Sequence, residues 1–145
     1  MALFQRDFIL RMIEVVAAAL ARARRRRLER DLTGARQEVS QAIGQVLGPR
    51  GAMAAMVDSR TAADLISDPR QISLYSRLLA EDADIVEEMG QPAQASAIRL
   101  RALELMLETV IRKLELADDD RAHMLALSHR VDRSALGPRY VGVSE

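Results

Sequence analysis

The chain has no cysteine and no tryptophan, and among its 145 residues only Phe4, Phe8, Tyr75 and Tyr140 are aromatic. Without cysteine there are no disulfides, thiolate metal sites or cysteine nucleophiles. So few rings leave little for stacking on bases or sugars, and the core must come from Leu, Ile, Val, Met and Ala, which suits close helix packing. No charge excess exists either. Twenty-one basic residues balance 21 acidic ones, so no global field selects nucleic acid or an anionic membrane. No apolar run reaches the roughly 18 residues of a membrane span. Val15 to Ala21 ends in Ala-Leu-Ala like a secretory signal, but the arginines follow the run and Asp7, Arg11 and Glu14 interrupt its approach. These features predict a cytoplasmic protein with no transmembrane segment. Also missing are Gly-x-Ser-x-Gly, a phosphate-binding glycine loop and a dinucleotide fingerprint, so neither catalysis nor a cofactor is expected.

What is present is helical periodicity. An apolar share of 49% beside 29% charged residues is a globular balance, and the length suits one compact unit. Phe4, Phe8, Met12, Val15, Val16, Ala19, Leu20 and Ala23 fall on one face with Ile9 and Ile13, opposite Arg6, Asp7, Arg11 and Glu14. That pattern predicts an amphipathic helix to about residue 30. A second stripe runs from Asp31 through Leu32, Ala35, Val39, Ala42, Ile43, Val46 and Leu47 to the stop Gly48-Pro49. Residues 52–66 are less regular and hold a short helix capped by Asp58 or Ser59. Asp68 before Pro69 opens a helix carrying Ile72, Leu78, Ile85 and Val86, and Gly90 ends it.

Gln91-Pro92 starts the most apolar helix, running to about Leu116 with a narrow polar stripe of Arg101, Glu104, Glu108, Arg112 and Glu115. A helix apolar in nearly every other direction is expected at the centre. Asp118, Asp119 and Asp120 open a last helix, where carboxylates favour the positive end of the dipole. The segment 134–145 reads as a non-helical tail, with Tyr140 to Val143 the only strand-like stretch. The expected fold is all-α: one domain over 1–133, a bundle of about six or seven helices, then the tail.

Two segments look alike. Asp31-Leu-Thr-Gly-Ala35 with Val39 and Ala42 matches Gly90-Gln-Pro-Ala-Gln-Ala95 with Arg99 and Ala102. The small residues lie seven apart in both. This resembles the second helix of a tetratricopeptide repeat, where small residues let two helices pack closely, and it implies antiparallel hairpins over 8–47 and 74–107. The copies are 60 residues apart instead of the family's roughly 34, and the first-helix aromatics are missing. The opening Arg6-Asp-Phe-Ile-Leu-Arg-Met-Ile-Glu14 also resembles the start of uncharacterised bacterial all-helical proteins with tetratricopeptide-like hairpins. That resemblance implies a fold and no activity.

Two charged segments stand out. Arg22, Arg24, Arg25, Arg26, Arg27 and Arg30 could grip phosphates, or could be a solvated helix end whose cations favour the negative dipole terminus. Glu81, Asp82, Asp84, Glu87 and Glu88 are the acidic counterpart. Glu81, Asp84 and Glu88 share a face that could chelate a hard cation, though a solvated face is the commoner outcome. Asp120 and His123 have a helical metal-pair offset, but His129 lies on another side of that helix and no metal site is expected. The basic and acidic segments are similar in length and opposite in sign, which predicts that they answer each other, within one chain or between two copies. Asp82 and Arg99 lie at mirrored positions about Gly90 and are expected to pair across that turn, a structural role. The function these features imply is a non-catalytic helical scaffold that binds protein, with itself as the first partner. The alternative is an Arg-driven binder of nucleic acid or another anionic surface.

Overall fold

The computed structural model describes residues 2–143, and the side chain of Phe4 lies outside the described set. Seven helices and one further helical turn follow each other: α1 (Ala2–Leu28), α2 (Leu32–Leu47), α3 (Gly51–Met56), α4 (Ser59–Ile66), α5 (Pro69–Glu88), α6 (Pro92–Ile111), α7 (Asp118–Arg130) and the turn α8 (Pro138–Val141). No strand occurs among the described residues. The chain is an all-α bundle, and no described helix is long and apolar enough to cross a membrane.

Local chemistry places most helix starts. The Asp31 carboxylate accepts from Gly34 N at 2.9 Å, Asp58 from Thr61 N at 2.8 Å, and Asp68 from Arg70 N and Gln71 N at 2.9 and 3.1 Å. Each satisfies an amide that a helix start leaves without an intrahelical partner. Gly34 is needed beside its cap, because a Cβ there would sit 2.1 Å from an Asp31 carboxylate oxygen. At Gly90 the backbone turns through φ 82, where glycine is favoured.

The centre of the bundle is α5, not α6. Eleven α5 residues are buried against nine in α6, and α5 packs on α1, α2, α4, α6 and α7. The apolar tally misses this because four of the eleven are polar: Gln71, Ser73, Ser76 and Glu81. Gln71 donates to Val46 O at 2.9 Å, a carbonyl at the C-terminal end of α2, and Ser76 donates to Ala102 O at 2.9 Å. Neighbouring helices thus make α5's polar positions compatible with burial. The small residues Ala35, Ala42, Ala95 and Ala102 are at most 2% exposed.

The polar stripe of α6 is a docking seam and not a solvated face. Arg101 donates to the carbonyls of Ala54 and Val57, which closes the end of α3. Glu104 accepts from Ser59 at 2.7 Å, and Arg112 reaches Asp64 at 2.6 Å and Arg60 O at 3.0 Å, which seats α4. The helix also stops earlier than its pattern predicts. It ends at Ile111, Lys113 turns into the left-handed region at φ 57, and Leu116 is buried in the apolar cluster with Leu103 and Leu107.

The tail is corrected as well. Pro138–Val141 is a helical turn instead of a strand-like stretch, and Leu136 and Tyr140 are buried against α6 and α7. Proline after Gly137 is pre-shaped for a helix start, and two anchors four residues apart hold the turn on the core. Beneath it lies Glu108, fully buried. Its carboxylate accepts from Arg139 at 2.6 and 2.9 Å, from the Tyr140 hydroxyl at 2.6 Å and from Arg112 at 3.2 Å. Burial pushes the Glu108 carboxyl up, but the hydrogen bonds from Arg139, Tyr140 and Arg112 outweigh it and bring its pKa down to about 2. Burial and then the Glu108 carboxylate push the Tyr140 phenol up. Replacing Tyr140 by Phe keeps the ring and removes one bond to a buried charge. It should cost about 1.5–3 kcal/mol in urea unfolding, most of it through release of the tail. A loss under about 0.5 kcal/mol would show that the clamp does not hold the tail.

Candidate functional site

The basic and acidic segments meet inside one chain. Arg24 and Arg27, three apart on the last turns of α1, face α5: Arg24 Nε lies 3.2 Å from Glu81, and Arg27 lies 2.6 Å from Glu81 and 3.1 Å from Glu88. Arg22 and Arg26, four apart, face α2 instead and share Glu38 at 2.7 and 3.2 Å, with Arg26 also 2.7 Å from Asp31. Burial disfavours the Arg27 charge, but hydrogen bonds to Glu88 and Glu81 outweigh it and raise its pKa. The Glu38 carboxyl is held below its ordinary value, chiefly by the hydrogen bond from Arg22. Arg25 and Arg30 have no ion pair among the described residues.

Asp84 and Glu87 turn to the other side of α5. The buried Arg99 guanidinium lies 2.8 Å from Asp84 and 3.0 Å from Glu87, and Arg130 reaches the same Asp84 oxygen at 3.0 Å. The trio Glu81, Asp84 and Glu88 is therefore divided between α1 and the α6–α7 side. Among the described residues no three His, Asp or Glu side chains are arranged to hold a metal ion.

The expected Asp82–Arg99 pair does not form. Asp82 pairs with Arg36 of α2 at 2.8 Å, and Arg99 takes Asp84 and Glu87. Helical side chains lean toward the N-terminus of their own helix. Arg99 thus leans toward the turn at Gly90, whereas Asp82 leans away from it. Position 84 is also rotated about 200° from position 82 around α5. Mirrored positions match Cα levels, and a long guanidinium reaches past its own level.

A second polar cluster joins α5 to α7. The buried Asp120 carboxylate accepts from Ser73 Oγ at 2.6 Å, Arg77 at 2.9 Å and Arg70 at 3.2 Å. His123 Nε2 stands 2.9 Å from Ser76 Oγ. Because Ser76 spends its proton on Ala102 O, the Nε2-protonated tautomer is assigned, with His123 donating to Ser76. Both serines are at most 1% exposed, and the cluster ties α7 to α5. Sequence alone marks Asp120 as a dipole-stabilising acid. The available signal was Arg70, Ser73 and Arg77 at helical spacing on α5, a polar stripe awaiting a carboxylate.

The apolar surface has its own openings. A groove of about 610 Å³ runs between Phe8 and Arg11 of α1 and the corner Val46 to Arg50 after α2. A smaller cleft of about 120 Å³ lies where Ile13, Ala17 and Leu20 of α1 face Arg77 and Asp120.

Comparison with protein-family models, curated proteins and solved structures finds no match to the chain. The geometry yields two measurable consequences. Glu81 is buried and its charge rests on Arg24 and Arg27. Replacing both arginines by Gln should cost about 3 kcal/mol or more, well beyond the usual effect of surface pairs. A cost under about 1 kcal/mol would place Glu81 in contact with water. Burial, and then Arg77, push His123 down to about 4 from 6.5. Its neutral form is the folded one, so the stability it supports is complete above pH 6.5 and is lost as pH falls toward 4. Unfolding free energy should drop by roughly 2 kcal/mol between pH 6.5 and 4.5. His123→Gln should flatten that decline, and an unchanged slope would assign it to other groups.

Proposed function

We propose that the chain is a non-catalytic helical interaction module of a bacterial cytoplasm and that its first partner is a second copy of itself. The observation that supports this most is where the apolar surface lies. Most charges of the two segments are paired within the chain, while Leu28, Met56 and Leu125 remain 85%, 86% and 60% exposed. Large apolar groups left in water favour contact with another protein surface. A tetratricopeptide-like arrangement, with α1–α2 and α5–α6 as antiparallel hairpins, is supported by the burial of Ala35, Ala42, Ala95 and Ala102.

Arg25 and Arg30, without ion pairs among the described residues, favour a second reading: Arg-driven binding of nucleic acid or another anionic surface. Internal neutralisation of Arg22, Arg24, Arg26 and Arg27 weighs against it. Sedimentation at 0.05 and 0.5 M NaCl, run beside filter binding with mixed RNA and DNA, separates the two. Apolar self-contact predicts an associated species that persists in high salt, because screening acts on charges and not on apolar burial. It also predicts no nucleic acid retained at 0.15 M salt. A monomer at every salt that retains RNA or DNA would replace the first reading by the second.

A further inference from the structure

Most junctions between helices are encoded where they occur. Gly48-Pro49 ends α2, Asp58 caps α4, Asp68-Pro69 opens α5, and Gly90 with Pro92 separates α5 from α6. Between α1 and α2, Arg30 is left-handed, but Asp31 supplies the cap. The junction between α6 and α7 is different. It reads Arg112-Lys-Leu-Glu-Leu-Ala117, with no glycine, proline or capping side chain, and every one of these residues favours a helix. Yet α6 stops, with Lys113 at φ 57, a conformation that residues other than glycine and asparagine avoid. At the start of α7 the N-cap is Ala117, which makes no side-chain hydrogen bond.

The linker residues 112–117 therefore favour helix and give no stop for α6, although Asp118, Asp119 and Asp120 mark the start of α7. What bends the chain there is tertiary. Asp120 binds Ser73, Arg70 and Arg77, and His123 binds Ser76. Glu108 holds Arg139 and Tyr140. Leu127, Leu136 and Tyr140 cover Leu103, Met106 and Leu107.

We propose that residues 112–117 are a hinge at which α6 and α7 straighten into one helix, so that α7 and the tail dock on a second copy of this chain. The inference rests on the self-association reading and names its surface. A second copy offers the arm the same Ser73, Ser76, Arg77 and Glu108, so exchange keeps the arm's contacts and relieves the left-handed lysine. It also gains a surface. At 100° per residue, Val110, Leu114, Ala117 and Leu125 fall within an arc of about 80° on the straight helix. Val110 and Leu125 are 37% and 60% exposed in the single chain. Two straightened helices crossing at the hinge bring these stripes together and cover them.

The chain without cysteine permits a direct test. Ser96→Cys and His129→Cys carry spin labels, and the doubly labelled protein is refolded from denaturant with excess unlabelled chain, at several concentrations. In the single chain, Arg99 and Arg130 share one Asp84 oxygen, so α6's start and α7's end are neighbours and the labels are close. In the straight helix the two positions stand about 50 Å apart. Sedimentation should give a dimer whose intrachain distance is the long one. Ala117→Pro fits the single chain, where φ is −69, and breaks a continuous helix. It should lower association more than about a hundredfold with the monomer's melting temperature unchanged. Should that variant unfold, Lys113→Gly serves in its place and should lower association about 25-fold, a factor of about five at each of two hinges. A dimer in which the labels stay close, or one that Ala117→Pro or Lys113→Gly leaves intact, overturns the hinge and leaves self-association standing through another face. No dimer from any variant overturns both.

Discussion

A helix packed on every side must have its polar groups satisfied by its neighbours, and α5 is such a helix. Gln71, Ser73, Ser76 and Glu81 are all buried on it, and each is answered by a different partner: the end of α2, Asp120 of α7, the backbone of α6, and the arginines of α1. An unpaired buried polar group costs on the order of 1–3 kcal/mol. Four such groups pointing four ways leave the surrounding helices little freedom in where they sit. Apolar burial supplies the drive to pack, and these bonds select the register.

Arginine is the other half of that arrangement. Lys113 is the only lysine in the chain. A guanidinium offers donors in a planar fork, so a single side chain can serve two acceptors. Arg27 spans Glu81 and Glu88, Arg99 spans Asp84 and Glu87, and Arg112 joins Asp64, a carbonyl of α4 and Glu108. Each such bridge ties two helices at two or more points. Neutral overall charge is then the consequence of pairing across helices, and the basic cluster is part of the scaffold more than a free anion site.

A sparsely buried part of this arrangement is α7. Only Asp120 and Leu127 of α7 are buried, so α7 is held through the Asp120 and His123 bonds and the apolar anchors of the tail behind it. A segment secured by a few polar contacts and joined through a helix-favouring linker is the part of the fold whose position depends most on tertiary context.

Helix existence and most helix starts were legible in the residues. The stripes of α1 and α2, the caps Asp31, Asp58 and Asp68 and the turn at Gly90 stand where the pattern places them, because periodicity and capping act over a few residues. The expected mirror pair Asp82–Arg99 does not form, for a reason invisible in spacing, the lean of two side chains in opposite directions relative to the turn at Gly90. The stop of α6 at Ile111, the seating of α3 and α4 on its polar stripe, and the docking of the tail over Glu108 also have no local signal. By itself the sequence determined which segments are helices and which faces are apolar. Only the tertiary structure decided which helix is central and which carboxylate each arginine meets, since Arg27 and Glu81 are 54 residues apart and Arg139 and Glu108 are 31. Such pairings follow from where packed helices cross, and a charge can be matched to its partner only after that crossing exists.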